Sequence, residues 1–195
     1  MELNINYDNF KTRKKEISNS GGGGEIKCSV IDNIDVILKR FPMNLKWKYI
    51  KEKCTYLKLK TYYTPKLMYY DDNNLILIIQ DVGDSLKKLI RNDEYQLIPT
   101  NIIDIIENIV HNLYHEYGVI HGDITTRNIC IKDKNVYLID YESTTQINIL
   151  PNNKYEFINA KKEEMHPWFD HQARLLADPD FLREYFSTEL YNKEI

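Results

Sequence analysis

One polar loop between short apolar segments constrains this 195-residue chain more than any other part of its sequence. Residues 121–128 read His-Gly-Asp-Ile-Thr-Thr-Arg-Asn, and apolar residues lie directly before and after them. The next apolar segment, residues 136–139, is predicted to be a β-strand, and Asp140 ends it, seventeen residues after Asp123. The fold of the chain must therefore hold an H-x-D-x-x-x-x-N loop and an aspartate at a strand end in fixed positions.

The residue types of this pattern suit phosphoryl transfer, in which a carboxylate positions an acceptor hydroxyl group and takes its proton. Asp123 is predicted to have that role. Mg²⁺ needs hard oxygen ligands, which the amide carbonyl of Asn128 and the carboxylate of Asp140 supply. His121 is predicted to brace the loop. Each residue alone also fits an ordinary turn or helix cap, but the joint pattern is similar to the active site of protein-kinase-like enzymes and implies ATP and Mg²⁺ as cofactors.

The first half of the chain is predicted to be β-rich. Residues 25–30 and 35–39 indicate two strands joined by a turn at Asp32-Asn33. Lys39 ends the second strand, on the same face as Ile37, and its ammonium group is predicted to reach the α- and β-phosphates of a nucleotide. The glycine tract before the first strand allows close backbone approach to phosphates, although a flexible turn is the alternative. The glycines predicted to contact ATP are Gly22, Gly23 and Gly24.

A basic, amphipathic segment follows at residues 46–60. Its apolar residues recur at spacings of three and four along one side, which predicts a helix. These residues are Trp47, Ile50, Cys54 and Leu57. Glu52 lies between two lysines on this helix and is predicted to face inward and pair with Lys39. A solvated lysine at a strand end and a glutamate on a helix surface are the alternatives for this pair.

The second half has a different character. After two further predicted strands at 66–70 and 75–79, the short polar segment 80–84 is expected to be a hinge. An apolar stripe over residues 102–113 predicts a long helix, and residues 167–190 are also helical by pattern. The predicted fold class is therefore α+β.

In its arrangement we expect a minimal bilobal protein-kinase-like fold in a single domain, residues 1–195. An antiparallel, β-rich N-lobe with one helix covers residues 1–80, and a mainly helical C-lobe covers residues 85–195. ATP is expected between the lobes, with its adenine against the backbone of Gln80, Asp81 and Val82.

Several motifs together resemble the small atypical kinase family of the KEOPS complex, which is related to the RIO kinases. The loop Ile120–Asn128 is close to the HGDLTTSN loop of that family, and His115–Val119 leads into it in the same way. Gly23–Ile26 resembles the family's G-A-E-A turn, and Arg40-Phe41-Pro42 matches an R-F-P motif after the strand-three lysine. The resemblance covers roughly residues 20–142. One departure is the segment Ile139–Glu142, whose I-D-Y-E sequence is more like choline and aminoglycoside phosphotransferases.

The resemblance implies roles for two further residues. Glu25 matches a family residue near the nucleotide. Asp170 is expected to be the aspartate of a helix-F-like segment that accepts N–H groups from the catalytic loop, with a helix N-cap as the alternative. Gly122 stands where activatable kinases carry an arginine, so this chain lacks the cation that clamps a phosphorylated activation loop.

The composition of the chain limits which binding partners and which cellular location are expected for the protein. The formal net charge of −3 argues against a dedicated binder of nucleic acid or of a membrane surface. Three cysteines without a C-x-x-C motif, and the absence of an apolar run of eighteen residues, predict a soluble cytoplasmic protein with reduced thiols. The abundance of Ile, Lys, Asn and Tyr fits an AT-rich genome, including a viral one.

The interpretation that these features favour is an ATP- and Mg²⁺-dependent atypical serine/threonine protein kinase, or an ATPase as in the KEOPS kinase. A protein substrate or protein partner is expected. A small-molecule kinase for aminoalcohols or aminoglycosides is the first alternative, favoured by Tyr141-Glu142 and disfavoured by the short C-terminal region. A nucleotide-binding adaptor or pseudokinase, acting through a protein partner, is the second.

Overall fold

The structure is a computed structural model, and it describes residues 11–12, 24–150, 154–157 and 179–191. The chain divides into two compact units, Met1–Asp81 and Val82–Ile195. Among the described residues, the first unit contains a five-stranded antiparallel sheet and one α-helix, and the second contains two three-stranded sheets and three α-helices. The predicted α+β fold class, with antiparallel strands, is confirmed.

The first unit is built on a sheet with the strand order β1-β2-β3-β5-β4. Its strands are β1 (Lys11–Thr12), β2 (Glu25–Ile31), β3 (Ile34–Arg40), β4 (Leu67–Asp71) and β5 (Ile76–Gln80). All four predicted strands are present, and they form two antiparallel hairpins, β2–β3 and β4–β5. Asp32 and Asn33, which join β2 to β3, have φ angles of 49° and 62°, and short polar side chains tolerate this left-handed region in tight hairpin turns.

The alternation of β3 decides which of its side chains can serve a site. Val36 and Leu38 are buried in the sheet core, where they join Ile76 and Ile78 of β5. Because successive side chains of a strand point to opposite faces, Lys39 lies on the face away from this cluster, as predicted. The same sequence pattern thus stabilises the sheet and presents a lysine on its other side.

The predicted helix is present as α1 (Lys46–Lys58), but its buried side is not the apolar side. The residues that it buries are Tyr49, Glu52, Thr55 and Tyr56. The four residues of the predicted apolar side do share one side, and all four are exposed there: Trp47, Ile50, Cys54 and Leu57. The reason is that two large tyrosine rings fill the inner side, while Glu52 is buried with a partner.

The second unit contains short strands and longer helices. Its helices are α2 (Leu86–Arg91), α3 (Ile102–His115) and α4 (Pro179–Tyr191). Its strands are β6 (Asp84–Ser85), β7 (Val119–Ile120), β8 (Ile129–Lys132), β9 (Asn135–Leu138), β10 (Thr145–Leu150) and β11 (Lys154–Phe157). One sheet has the order β6-β8-β9 and the other β11-β10-β7. The hairpin of β10 and β11 was not among the predicted elements.

Helix α3 is the core of the second unit. Its buried residues follow the predicted stripe: Ile102, Ile106, Ile109, Val110 and Leu113. Helix α4 packs on α3 with Leu182 and Phe186 buried, and Arg183 pairs with Asp104 and Glu107 of α3 at 2.8 and 2.5 Å. The helical pattern predicted over 167–190 is confirmed from residue 179 onwards, and residues 167–178 lie outside the described ranges. Within the described ranges, no helix has the length and apolar character needed to cross a membrane.

Candidate active site

Within the predicted catalytic loop, Asn128 is hydrogen-bonded to Asp123. The side-chain nitrogen Nδ2 of Asn128 donates to the backbone oxygen of Asp123 at 2.8 Å and to its carboxylate oxygen Oδ2 at 2.7 Å. Asn128 is buried, so these hydrogen bonds are shielded from competing water. Because Nδ2 uses both of its protons on Asp123, Oδ1 is the atom of Asn128 that can act as a metal ligand.

His121 connects this loop to the strand that precedes Asp140. The imidazole is 1% exposed. Its Nδ1 accepts a hydrogen bond from the backbone N–H of Asp123 at 3.2 Å, and its Nε2 lies 2.9 Å from the backbone oxygen of Ile139. Since Nδ1 accepts, the proton of the neutral ring is on Nε2, which donates to that carbonyl. The ring therefore holds the loop in place and keeps both nitrogens occupied.

Both backbone groups of Ile139 are bound to the loop. Its carbonyl accepts from His121, and its N–H donates to the backbone oxygen of Asn128 at 2.9 Å. The next residue, Asp140, has φ 67° and ψ 61° and begins the short turn Tyr141–Ser143. Aspartate adopts this left-handed conformation more readily than most residues. The fold thus ties the position of Asp140 to the two ends of the predicted catalytic loop.

Gly122 fits its place because it has no side chain. Its φ angle is 81°, and a Cβ atom added there would lie 2.5 Å from the backbone oxygen of Ser143. Tyr141 is fully buried, with its ring centroid 4.9 Å from that of His121. Neither packing role was predicted from the sequence. The glycine within a polar motif could have indicated the close approach at Gly122. The aromatic residue directly after Asp140 could have indicated the packing of Tyr141.

In the first unit the structure brings Lys39 and Glu52 together. The ammonium Nζ of Lys39 lies 2.7 Å from Oε2 of Glu52, and the two side chains are 14% and 1% exposed. The Nζ atom also lies 4.9 Å from the centroid of the Phe41 ring. Glu52 is thus a buried carboxylate with a cation beside it, and Lys39 keeps an exposed fraction through which a phosphate group can approach.

Helix α1, which contains Glu52, is hydrogen-bonded to Asp72 in the β4–β5 turn. The oxygen Oδ1 of Asp72 accepts from the hydroxyl group of Tyr49 and from Nζ of Lys53, each at 2.6 Å. Burial and the hydrogen bond to Asp72 raise the pKa of Tyr49, so its hydroxyl stays protonated and donates. The hydrogen bonds from Lys53 and Tyr49 lower the pKa of Asp72. These bonds fix the inner side of α1 and, with it, Glu52.

The turn before β2 lies against the end of β3. A Cβ atom on Gly24 would lie 2.7 Å from the backbone oxygen of Arg40. Glu25 pairs with Arg40 at 3.4 Å and with Lys27 at 2.8 Å, and all three side chains are partly or largely exposed. The carboxylate of Glu25 is therefore held by cations of its own sheet. Gly22 and Gly23 lie outside the described residues, as does Asp170.

The segment predicted to contact adenine spans the boundary between the two units. The N–H of Gln80 donates to the backbone oxygen of Lys66 at 2.9 Å, and that of Asp81 donates to Asp35 at 2.8 Å. Val82 is buried at the start of the second unit. Because the sheet of the first unit already uses the N–H groups of Gln80 and Asp81, neither donor is available to a nucleotide.

Comparison with known proteins assigns the family. A family model described as RIO domain matches residues 47–174, well over half of the chain. The match includes Glu52, the predicted catalytic loop and Asp140, and it begins after Lys39. No curated protein matches the chain. Members of the RIO family are atypical kinases, and a kinase-type enzyme that uses ATP agrees with the loop described above. The chain belongs to the RIO domain family.

Proposed function

We propose that this RIO-domain protein is an ATP- and Mg²⁺-dependent phosphotransferase that acts as an atypical serine/threonine protein kinase. One observation carries the proposal: Asn128 donates two hydrogen bonds to Asp123, one of them to the carboxylate, in a loop braced by His121. A base must be held in one position to receive a proton from an acceptor hydroxyl group. The loop provides that fixed carboxylate.

Asp123 would act on the acceptor. Its carboxylate takes the proton of a serine or threonine hydroxyl group while that oxygen forms a bond to the γ-phosphorus of ATP. The bond between the γ-phosphorus and the bridging oxygen breaks, and ADP leaves with the electron pair. When water is the acceptor, the same arrangement gives an ATPase.

The donor atoms available in the second unit fit Mg²⁺. Asn128 keeps Oδ1 for a ligand, and Asp140 supplies a half-buried carboxylate, so both would hold the ion through oxygen. Bound Mg²⁺ supplies charge neutralisation on the phosphate groups. Both residues belong to one hydrogen-bonded frame, since Ile139, next to Asp140, donates to the backbone of Asn128.

The first unit would contribute the lysine that binds phosphate. Lys39, oriented by Glu52, is the proposed contact to the α- and β-phosphates, and Gly24 and Glu25 belong to the turn proposed to cover them. The N–H groups of Gln80 and Asp81 are already used, so the donor proposed for the adenine ring is that of Val82. ATP is the partner that these residues support, and a protein substrate is part of the proposal.

A small-molecule kinase is the second candidate, favoured by the Asp140-Tyr141-Glu142 sequence. Radiolabelled ATP separates the candidates when it is incubated with the protein alone, with a generic protein acceptor, and with ethanolamine or an aminoglycoside. Label on the protein itself or on the protein acceptor supports the kinase, and label on the small molecule supports the second candidate. Release of labelled phosphate alone identifies an ATPase, and intact ATP in every arm contradicts the proposal.

A further inference from the structure

The outer side of helix α1 is an apolar stripe that no part of the described chain covers. Its large residues are more than 40% exposed, and Cys54 is exposed among them. The stripe begins one turn before the helix and consists of Met43, Trp47, Ile50, Cys54 and Leu57. Scattered exposed apolar residues are normal, but five at helical spacing on one side form a continuous strip. Strips of this kind mark interaction sites.

The surroundings of the stripe are strongly basic. Residues 36–70 contain nine lysines and arginines and one carboxylate, that of Glu52. Three of these cations are paired: Lys39 with Glu52, Arg40 with Glu25, and Lys53 with Asp72. Glu52 is itself buried and pairs with Lys39. The exposed lysines beside the stripe and its end are Lys46, Lys51, Lys58, Lys60 and Lys66. Lys48 and Lys51 also lie over the Trp47 ring, at 5.6 and 5.5 Å.

A groove continues the stripe at the C-terminal end of α1. It has a volume of about 730 Å³ and is formed by the end of α1, the loop after it and β4. Leu57 belongs both to the stripe and to the groove wall, and Leu67 and Met68 line the groove with Lys60 and Lys66 at its edge. The surface therefore offers a flat apolar strip that ends in a concave pocket, with lysines around both.

We infer that this surface, which we call the α1 outer face, binds a protein partner through an amphipathic segment that carries acidic residues. Leucine- or phenylalanine-type side chains of the partner would lie along the stripe, with one anchored in the groove, while its carboxylates meet the lysines. The concave groove favours a protein over a lipid surface, because an anchoring pocket accepts a single side chain. The shared positive charge disfavours a second copy of this face.

A direct binding experiment tests this inference with synthetic peptides as long as residues 43–58. The first peptide has leucines at helical spacing and glutamates elsewhere, the second has the same composition in scrambled order, and the third has lysines in place of glutamates. Fluorescence anisotropy with the full chain should show tight binding of the first peptide alone, with binding weakened by added salt. Equal binding of the first and scrambled peptides, or none, overturns the inference.

Variants on and off the face complete the test. Trp47→Ser and Leu57→Ser should each weaken binding of the acidic peptide about tenfold or more, as loss of an interface anchor does. Lys51→Glu with Lys58→Glu should also weaken it, whereas the controls Leu97→Ser and Lys87→Glu, both exposed residues of the second unit, should not. Circular dichroism should show an unchanged fold in every variant. All the replaced side chains are exposed.

Two other occupants would produce different results. Sedimentation velocity that shows a dimer lost in Trp47→Ser would identify a second copy of the chain as the occupant. Co-sedimentation with phosphatidylserine–phosphatidylcholine vesicles that is lost in the same variant would identify a lipid surface. Either result overturns the inference. A monomer that does not bind vesicles but distinguishes the acidic peptide supports it.

Discussion

Asn128 holds Asp123 by two hydrogen bonds from one nitrogen atom, at 2.8 Å to the backbone oxygen and 2.7 Å to the carboxylate. The first bond fixes the loop and the second fixes the side chain, so a single buried amide sets the position of the proposed base. The same loop binds both backbone groups of Ile139, through His121 and through the backbone of Asn128. Asp123, Asn128 and Asp140 thus belong to one hydrogen-bonded frame.

Asp140→Asn should abolish the Mg²⁺ dependence of nucleotide binding. Asparagine tolerates the left-handed conformation of this position, so the variant removes the charge without the strain that alanine would add. Isothermal calorimetry should show that Mg²⁺ tightens ATP binding to the wild type and has little effect on the variant. Asp133→Asn, at another left-handed position in an exposed turn, is the matched control. Equal Mg²⁺ dependence in wild type and Asp140→Asn would assign the metal to other residues.

Lys39→Met should destabilise the protein as well as weaken ATP binding. It leaves the carboxylate of Glu52 buried without its cation, which costs about 3–5 kcal/mol of unfolding free energy. The double variant Lys39→Met, Glu52→Gln removes that charge, and denaturant unfolding should show much of the stability restored while ATP binding stays weak.

Arg40→Met tests whether the cation that binds phosphate is Lys39 or its neighbour Arg40. The pair of Arg40 with Glu25 is exposed, so its loss should cost at most about 1 kcal/mol and leave ATP affinity near that of the wild type. Should Arg40→Met lose ATP binding while the double variant at Lys39 retains it, the phosphate contact would belong to Arg40.

Gly122→Ala should disrupt the predicted catalytic loop. The added Cβ would lie 2.5 Å from the backbone oxygen of Ser143, and φ 81° is unfavourable for alanine. We expect a loss of about 1–3 kcal/mol in unfolding free energy and a marked loss of activity. Ser143→Ala, which keeps the backbone oxygen, should unfold like the wild type. An alanine variant with normal stability and turnover would show that the backbone at residue 122 can relax.

Asp72 should make the first unit sensitive to acid. Its pKa is lowered by Lys53 and Tyr49, so its contribution to stability is present above the unfolded-state pKa of 3.8 and is lost as the pH falls through the folded-state pKa. Because the side chain is largely exposed, solvent screening limits the contribution to about 1 kcal/mol or less. Asp72→Asn should be less stable than the wild type near pH 7, with the difference vanishing in strong acid. A constant difference across pH would exclude this linkage.

Local patterns were sufficient to predict the hairpins of the first unit and helix α3. Asp32-Asn33 between alternating strands specifies a turn, and the isoleucine stripe of α3 fits burial. For α1 the predicted inward position of Glu52 agrees with the structure, but the tyrosines that fill the rest of its inner side were not predicted. Tyr49 is buried with its hydroxyl group bound to Asp72, which is 23 residues away in sequence, and hydrophobic periodicity does not reveal such a pair.

The candidate site was partly predictable for a similar reason. The residues of the loop are adjacent in sequence, so its motif identified Asp123 and Asn128 together. Gly122 is required because the backbone of Ser143 packs closely against it in the folded chain. The sequence showed only that a glycine stands where activatable kinases carry an arginine. Likewise, the hydrogen bonds that use the N–H groups of Gln80 and Asp81 follow from strand packing rather than from any local pattern.

The most direct measurement compares the turnover of radiolabelled ATP by the wild type and by Asp123→Asn, with nucleotide affinity determined for both. Asparagine keeps the shape of the aspartate side chain and can still accept a hydrogen bond from Asn128, but it cannot take a proton from the acceptor hydroxyl group. Transfer of phosphate should fall by about 10²–10⁴-fold, the usual contribution of a general base, while Mg²⁺–ATP binding stays close to that of the wild type. Turnover unchanged in Asp123→Asn would contradict the proposed role of this loop as the phosphoryl-transfer site.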